Sequence, residues 1–139
     1  MHAELITSEG SAYSGDAVSV TLPSGMGEIT VLSHHIPMLS TIEPGTVIIR
    51  TGKEELLFAV ARGVVQVGQT GLLILSDIAD KAENLQEDAI ELARQRAEEL
   101  RNARRTDAEE FADATATLER EMARLMSIRR LRSRRRNSV

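Results

Sequence analysis

The chain contains no cysteine and no tryptophan, and only one tyrosine and two phenylalanines in 139 residues. Without cysteine there is no disulfide, no thiolate metal site and no thiol nucleophile, a composition that fits a reducing compartment. The three rings, Tyr13, Phe58 and Phe111, are too few for the stacking platform of a single-strand nucleic-acid binder. Long apolar runs are also missing. The stretch GLLIL at 71–75 is far too short to cross a bilayer, so no direct membrane insertion is expected. The opening MHAELITSEG has no basic region followed by an apolar core, and no secretion or transit segment is read there.

Histidine is nearly as scarce: His2, His34 and His35 are the only three. The doublet in TVLSHHIPML is the natural candidate for metal or proton chemistry. Read as strand, however, neighbouring residues point to opposite faces, so the two rings cannot share one ion. No H-E-x-x-H pattern and no acid at ligand spacing accompanies them, so no metal site is expected. There is no G-x-S-x-G element for a serine nucleophile. PSGMGE (23–28) lacks the Lys-Ser/Thr of a phosphate loop and reads as a turn between strands.

What the chain does have is a charge gradient. Residues 1–82 carry 4 basic and 9 acidic side chains, residues 83–119 carry 5 and 11, and residues 120–139 carry 8 arginines and one acid, Glu121. A basic end on an acidic body suits an acidic or polyanionic partner; a solvated tail is the plainer reading.

Periodicity divides the chain in two. Over residues 5–76 short β-branched or alternating runs (AVSVTL, TVIIRT, LLFAVA, VVQVG, LLILS) are separated by glycine and proline turns, which predicts an antiparallel β-sandwich or barrel. In AVSVTL, Val18 and Val20 are expected on one side. All nine glycines and all three prolines lie before residue 72. From 87 to 104, Ala89, Leu92, Ala93, Ala97, Leu100 and Ala103 form one helical stripe. In TDAE, Thr106 is placed to cap a second helix with Glu109 reaching back, and Phe111, Thr115, Leu118, Met122 and Leu125 share one face. A short connection makes these an antiparallel hairpin, thin in apolar area and therefore weakly docked on the sandwich or on another protein. The fold class is α+β, with a sandwich at 1–82 and a hairpin with a basic tail at 83–139.

One polar array stands out. In IELARQRAEELR, Glu91, Arg94 and Arg101 sit at offsets of three and ten, which on a helix (about 300° and 1000°) gathers both arginines beside the acid. The pair suits phosphate oxygens, but a solvated face of local ion pairs is the favoured reading of the residues alone.

The order of LITSEG, SGDAVSVTLPSGMGEITVLSHHIPMLSTIEPGTVII, FAVARGVVQV and LLILSDIAD, followed by two helices, resembles the epsilon subunit of F-type ATP synthase over nearly the whole chain. The resemblance implies a non-catalytic rotor subunit of the central stalk, peripheral at the cytoplasmic face of a bacterial inner membrane. It would couple proton translocation to ATP synthesis. Its partners would be the gamma subunit, the ring of c subunits and the alpha/beta catalytic head. The same resemblance implies Glu28 and His35 as c-ring contacts. It also implies a hairpin able to inhibit ATP hydrolysis. ATP would be a regulatory ligand, held by Ile90, Glu91, Arg94, Arg101, Arg120 and Arg124, although Glu91 replaces an aspartate and Gln95 an alanine. Arg120, Arg124, Arg129 and Arg130 would face acidic loops of the beta subunits. His34 stands where the family usually has glycine, Ser33 replaces a frequent proline, Thr30 a frequent glycine, and Arg62 a glycine before Gly63. The competing class is a small nucleic-acid-binding protein using the arginine tail on phosphates. An acidic sandwich with few aromatics argues against it.

Overall fold

The structure, a computed structural model, describes residues 1–105 and 107–137. Ten strands precede two long helices: β1 (His2–Thr7), β2 (Gly10–Asp16), β3 (Ser19–Ser24), β4 (Gly27–Leu32), β5 (Met38–Ile42), β6 (Gly45–Arg50), β7 (Glu55–Val60), β8 (Gly63–Val67), β9 (Gly71–Ser76), β10 (Ala79–Lys81), α1 (Glu87–Ala103) and α2 (Ala108–Asn137). A single 3-10 turn, Ala82–Asn84, links the two halves.

The strands form two layers. One runs β10-β7-β6-β3 with β4 on the far side of β3, and the other runs β5-β8-β9-β1-β2. The layers join at one corner, where Ser24 of β3 pairs with Ile42 of β5. The expected antiparallel pairing holds except between β1 and β9, which run parallel. Alternation along the strands places Leu5, Val20, Leu22, Val31, Val47, Ile49, Val65 and Ile74 in the core between the layers. Val18 does not join Val20 there: it precedes β3 and is exposed. Ser19 and Thr21, on the outward side of β3, are buried too. Thr21 shares a 2.8 Å hydroxyl contact with Thr30 and accepts a hydrogen bond from Arg50 Nη1 at 2.9 Å.

PSGMGE is the β3–β4 turn, as its glycines suggest. Ser24 Oγ donates to the Gly27 carbonyl at 2.7 Å, and Gly27 adopts φ 107°, a left-handed conformation that favours glycine. The histidine doublet is also in a turn, not in a strand as its sequence suggested. His34 sits at φ 67°, and the His35 N–H donates to the Leu32 carbonyl at 3.2 Å. His34 thus keeps a left-handed conformation that favours glycine and costs an L-residue about 1 kcal/mol.

The first helix ends one residue before expected. Thr106 lies outside the described residues; Asp107 caps α2, its Oδ1 accepting from the N–H groups of Glu109 and Glu110, both at 3.1 Å. Glu109 and Glu110 in the first turn and Arg134–Arg136 in the last suit the helix dipole, and α2 continues through the arginine run instead of fraying into a tail. The helices pair antiparallel through Ile90, Leu125 and Ile128, with Leu85 packed against them. Here the predicted stripes are only half used. Leu118 and Leu125 are buried, but Phe111 and Met122 stay exposed; on α1, Ile90 and Ala97 are buried while Leu92 and Leu100 face solvent. Ile90 supplies the bulk at the contact and Ala97 lets the helices approach, so the close face of α1 is offset from its richest apolar stripe.

Candidate functional site

Two surfaces of the sandwich differ in kind. On the outer face of the β5-β8-β9-β1 layer, cross-strand register aligns Leu39, Gln66, Leu73 and Glu4 in one row and Thr41, Val64, Leu75 and Ile6 in the next. Leu39 is 74 % exposed, Leu75 43 % and Val64 40 %. Side chains that alternate with a core-facing set should be polar when a sheet faces water. Five of these eight residues are apolar (Leu39, Leu73, Val64, Leu75 and Ile6), so the face is a candidate docking surface.

The opposite layer carries α2. Ser127, fully buried, shares a 2.7 Å hydroxyl contact with Thr46 on β6. Leu131 packs on Ile48, Leu57 and Ala82. Around these small contacts stands a series of ion pairs. Arg124 Nε reaches Asp80 at 2.7 Å, and Arg124 also donates to Glu121 one turn earlier. Arg130 grips both oxygens of Glu28 at 2.8 and 3.1 Å. Arg134 meets Glu55 at 2.6 Å, where Arg50 holds the other oxygen at 3.0 Å. Arg62 on the sandwich grips both oxygens of Glu119 at 3.1 and 3.2 Å.

These positions decide how the candidate residues meet. Glu28 and His35 bracket β4, an edge strand paired only to β3, with Glu28 beside the β3–β4 turn and His35 beyond the opposite end. The hydrogen bond from Arg130 holds the Glu28 carboxyl below the usual carboxylate range. His35 Nδ1 lies 2.7 Å from the Ile36 carbonyl. On the hairpin, Ile90 is part of the interhelical contact. Glu91 and Arg94 pair at 2.6 Å, and Arg94 also takes Glu98 at 2.9 Å. The Arg94–Glu91 hydrogen bond lowers the Glu91 pKa and raises that of Arg94. Arg129 reaches Glu87 at 3.2 Å and Glu91 at 3.5 Å, and Arg132 also meets Glu87. Arg101 lines a cleft at the closed end of the hairpin with Asn102, Arg105 and Phe111. Arg120 lines another with Arg62, Asp77 and Glu119. The docked hairpin thus joins Glu91 to Arg94 but spreads Arg101, Arg120 and Arg124 among other neighbours. The acids that engage Arg124, Arg130 and Arg134 had a sequence signal, the excess of negative charge in residues 1–82, but no local pattern marked Asp80 or Glu55 as the partners.

Among the described residues no group of three or more His, Cys, Asp or Glu side chains could hold a metal ion, and no helix is long and apolar enough to cross a membrane. A sandwich with one open apolar face, bearing a helical hairpin on the other, defines a β-sandwich adaptor that works through its surfaces.

Residues 1–82 match the family described as ATP synthase, Delta/Epsilon chain, beta-sandwich domain. The whole chain is similar to the ATP synthase epsilon chain of Bordetella avium (39 % identical over 134 residues, covering 95 % of this chain and 94 % of that one). It is likewise similar to the epsilon chain of Acidithiobacillus ferridurans (37 % over 128 residues, 92 % and 90 %). Its fold is similar to that of a chain in the Euglena gracilis mitochondrial ATP synthase, with TM-score 0.74 at 16 % identity over 87 % of this chain and 76 % of that one. The chain belongs to the delta/epsilon family of ATP synthase subunits.

Proposed function

We infer that the chain is a non-catalytic rotor subunit in the central stalk of an F-type ATP synthase, coupling proton translocation through the membrane sector to ATP synthesis. The observation that carries this reading is similarity to bacterial epsilon chains along nearly the full length of both. The open face around Leu39, Val64 and Leu75 is the surface for gamma, because a permanent partner covers apolar side chains that a free sheet would leave in water. The edge strand β4, with Glu28 at one end and His35 beyond the other, is the candidate contact to the polar loops of the c-subunit ring. The hairpin, residues 83–139, is the regulatory part. Its arginines become available to acidic loops of the alpha/beta head when it leaves the sandwich, where it would restrain ATP hydrolysis. The subunit then sits peripherally, at the cytoplasmic face of the bacterial inner membrane. The nucleic-acid reading gains no support from these relatives.

Co-purification with tagged gamma tests the reading, using the full chain and a chain ending after Asn84. Both should be retained, because the gamma surface lies on the sandwich. Retention of neither refutes the assignment. Loss of only the shortened chain moves the gamma surface to the hairpin.

A further inference from the structure

The two layers of the sandwich differ in where their counter-charges come from. On the layer that carries α2, the acids Glu28, Glu55 and Asp80 are met by Arg130, Arg134 and Arg124. The other layer has no such partner within the chain. Its strands β1, β2, β5, β8 and β9 contain no lysine and no arginine, and their charged or titratable groups apart from Tyr13 are His2, Glu4 and Asp16. Alternation sets His2 and Glu4 on the outer face, since Ala3 and Leu5 are buried in the core, and Asp16 stands across from His2 on β2. Glu4 Oε1 lies 3.2 Å from His2 Nε2, while Oε2 makes no hydrogen bond or ion pair among the described residues. Register places Glu4 beside Leu73, in the row that also holds Leu39. A carboxylate therefore sits within the open apolar face.

A cleft of about 310 Å³ opens beside it. Gly71, opposite His2, has no side chain to fill this space, and His2, Glu4, Gln66, Thr70 and Leu73 line it. Leu73 offers an apolar wall, Glu4 a carboxylate and Gln66 an amide oxygen. These suit a long basic side chain, whose methylene stem lies on apolar surface while its head donates to acceptors. A partner that covers Leu39 and Leu75 also takes Glu4 out of water. An ionised carboxylate removed from water is strongly unfavourable unless an opposite charge comes with it, and this layer offers only His2. We propose that the gamma subunit seats a lysine or arginine in this cleft, with Glu4 as the anchoring carboxylate, which rests on the open face being the gamma surface. Apolar side chains then supply the area of that contact. The one charge pair within it fixes the register and rejects partners that bring an acid or no charge to the same place.

Titration calorimetry of the full chain with purified gamma is the test. Glu4→Gln keeps the shape and removes the charge, and should weaken binding about tenfold or more. Glu4→Asp keeps the charge and should recover most of that loss. Asp16→Asn, at the exposed rim, and His2→Gln should each change Kd by less than about threefold. Raising sodium chloride from about 0.05 M to about 0.5 M should weaken binding of the parent more than that of Glu4→Gln, because salt screens the pair that the variant lacks. Urea unfolding of Glu4→Gln should match the parent, since the side chain is 40 % exposed and its one ion pair is with His2. Unchanged binding in Glu4→Gln, or equal losses in Glu4→Gln and Glu4→Asp, overturns the proposal. So does a larger loss in His2→Gln, which would make His2 the anchor. Replacing Leu39 and Leu75 by threonine separates the two readings. Loss there with none at Glu4 strikes the anchor alone, and no loss at either strikes the gamma surface with it.

Discussion

Replacing Leu39 and Leu75 together by threonine should weaken binding to the gamma subunit by about thirtyfold while leaving the free chain as stable as before. Burying a whole leucine side chain contributes about 1.5–3 kcal/mol. Leu39 retains 74 % of its exposure and Leu75 43 %, together slightly more than one whole leucine that a partner could still cover. Threonine keeps a methyl group, so the double change removes about 2 kcal/mol of prospective burial, or about thirtyfold in Kd at 1.4 kcal/mol per factor of ten. Both positions lie in strands and face outward, and threonine suits a strand as well as leucine does. Unfolding free energy should therefore stay within about 0.5 kcal/mol of the parent. Titration calorimetry with purified gamma reads the first quantity, and urea unfolding followed by circular dichroism reads the second. A Kd unchanged within about threefold would show that the open face is not where gamma sits. A large loss of stability would show that the two leucines are structural, and the argument from exposure would fail.

Three further outcomes follow from particular contacts. A Cβ on Gly63 would lie 1.9 Å from the Leu75 carbonyl oxygen and 2.9 Å from its carbon, both backbone atoms of β9. Gly63→Ala should thus cost about 3 kcal/mol and lower Tm by roughly 10 °C, and a drop under about 3 °C in a calorimetric melt would mean the strands shift freely. Glu28, Glu87 and Glu91 all have lowered pKa values, chiefly through hydrogen bonds from Arg130, Arg132 and Arg94. The unfolded chain therefore binds more protons in acid. Their stabilisation is complete above the ordinary value of 4.5 and is lost as pH falls through the lower folded values. Melts between neutral pH and pH 3 should be flat down to about 4.5 and then fall, less steeply in Arg130→Gln; an identical slope in that variant would remove Glu28 from the account. Finally, ATP on the hairpin requires Arg94 to exchange carboxylates for phosphate. Glu98→Gln frees one arm, so ATP should bind about twofold to threefold more tightly by amide NMR titration, and no shift in either chain refutes ATP as a ligand.

Local chemistry made the strands, their turns and the first helix legible, because alternation, glycine punctuation and a 3.6-residue period are short-range signals. What escaped was anything settled between distant segments. The stripe on α1 reads as Leu92 and Leu100, but the contact runs through Ile90 and Ala97, since α2 supplies the bulk with Leu118, Leu125 and Ile128. Residues 33–37 looked like part of a strand because apolar runs flank them, and the left-handed φ of His34 is hidden in a residue type that ordinarily avoids it. For the site, resemblance indicated Glu28 and His35. It did not show that a strand's length separates them or that Arg130 covers one of them.

The basic end was the most ambiguous stretch, open to reading as a solvated tail or as a hook for an outside polyanion. Its helix lacks an apolar seam after Leu131, and eight arginines in the last twenty residues would repel one another along an isolated helix. The charge gradient resolves this. The acids in residues 1–82 outnumber the bases there, and Glu28, Glu55 and Asp80 stand where Arg130, Arg134 and Arg124 reach them. The excess charge of one part is the counter-charge of the other, so the acidic body is itself the first partner of the basic end. That makes any external acidic partner a competitor for arginines already engaged. Its apparent affinity is then the intrinsic one multiplied by the fraction of time the helix is undocked.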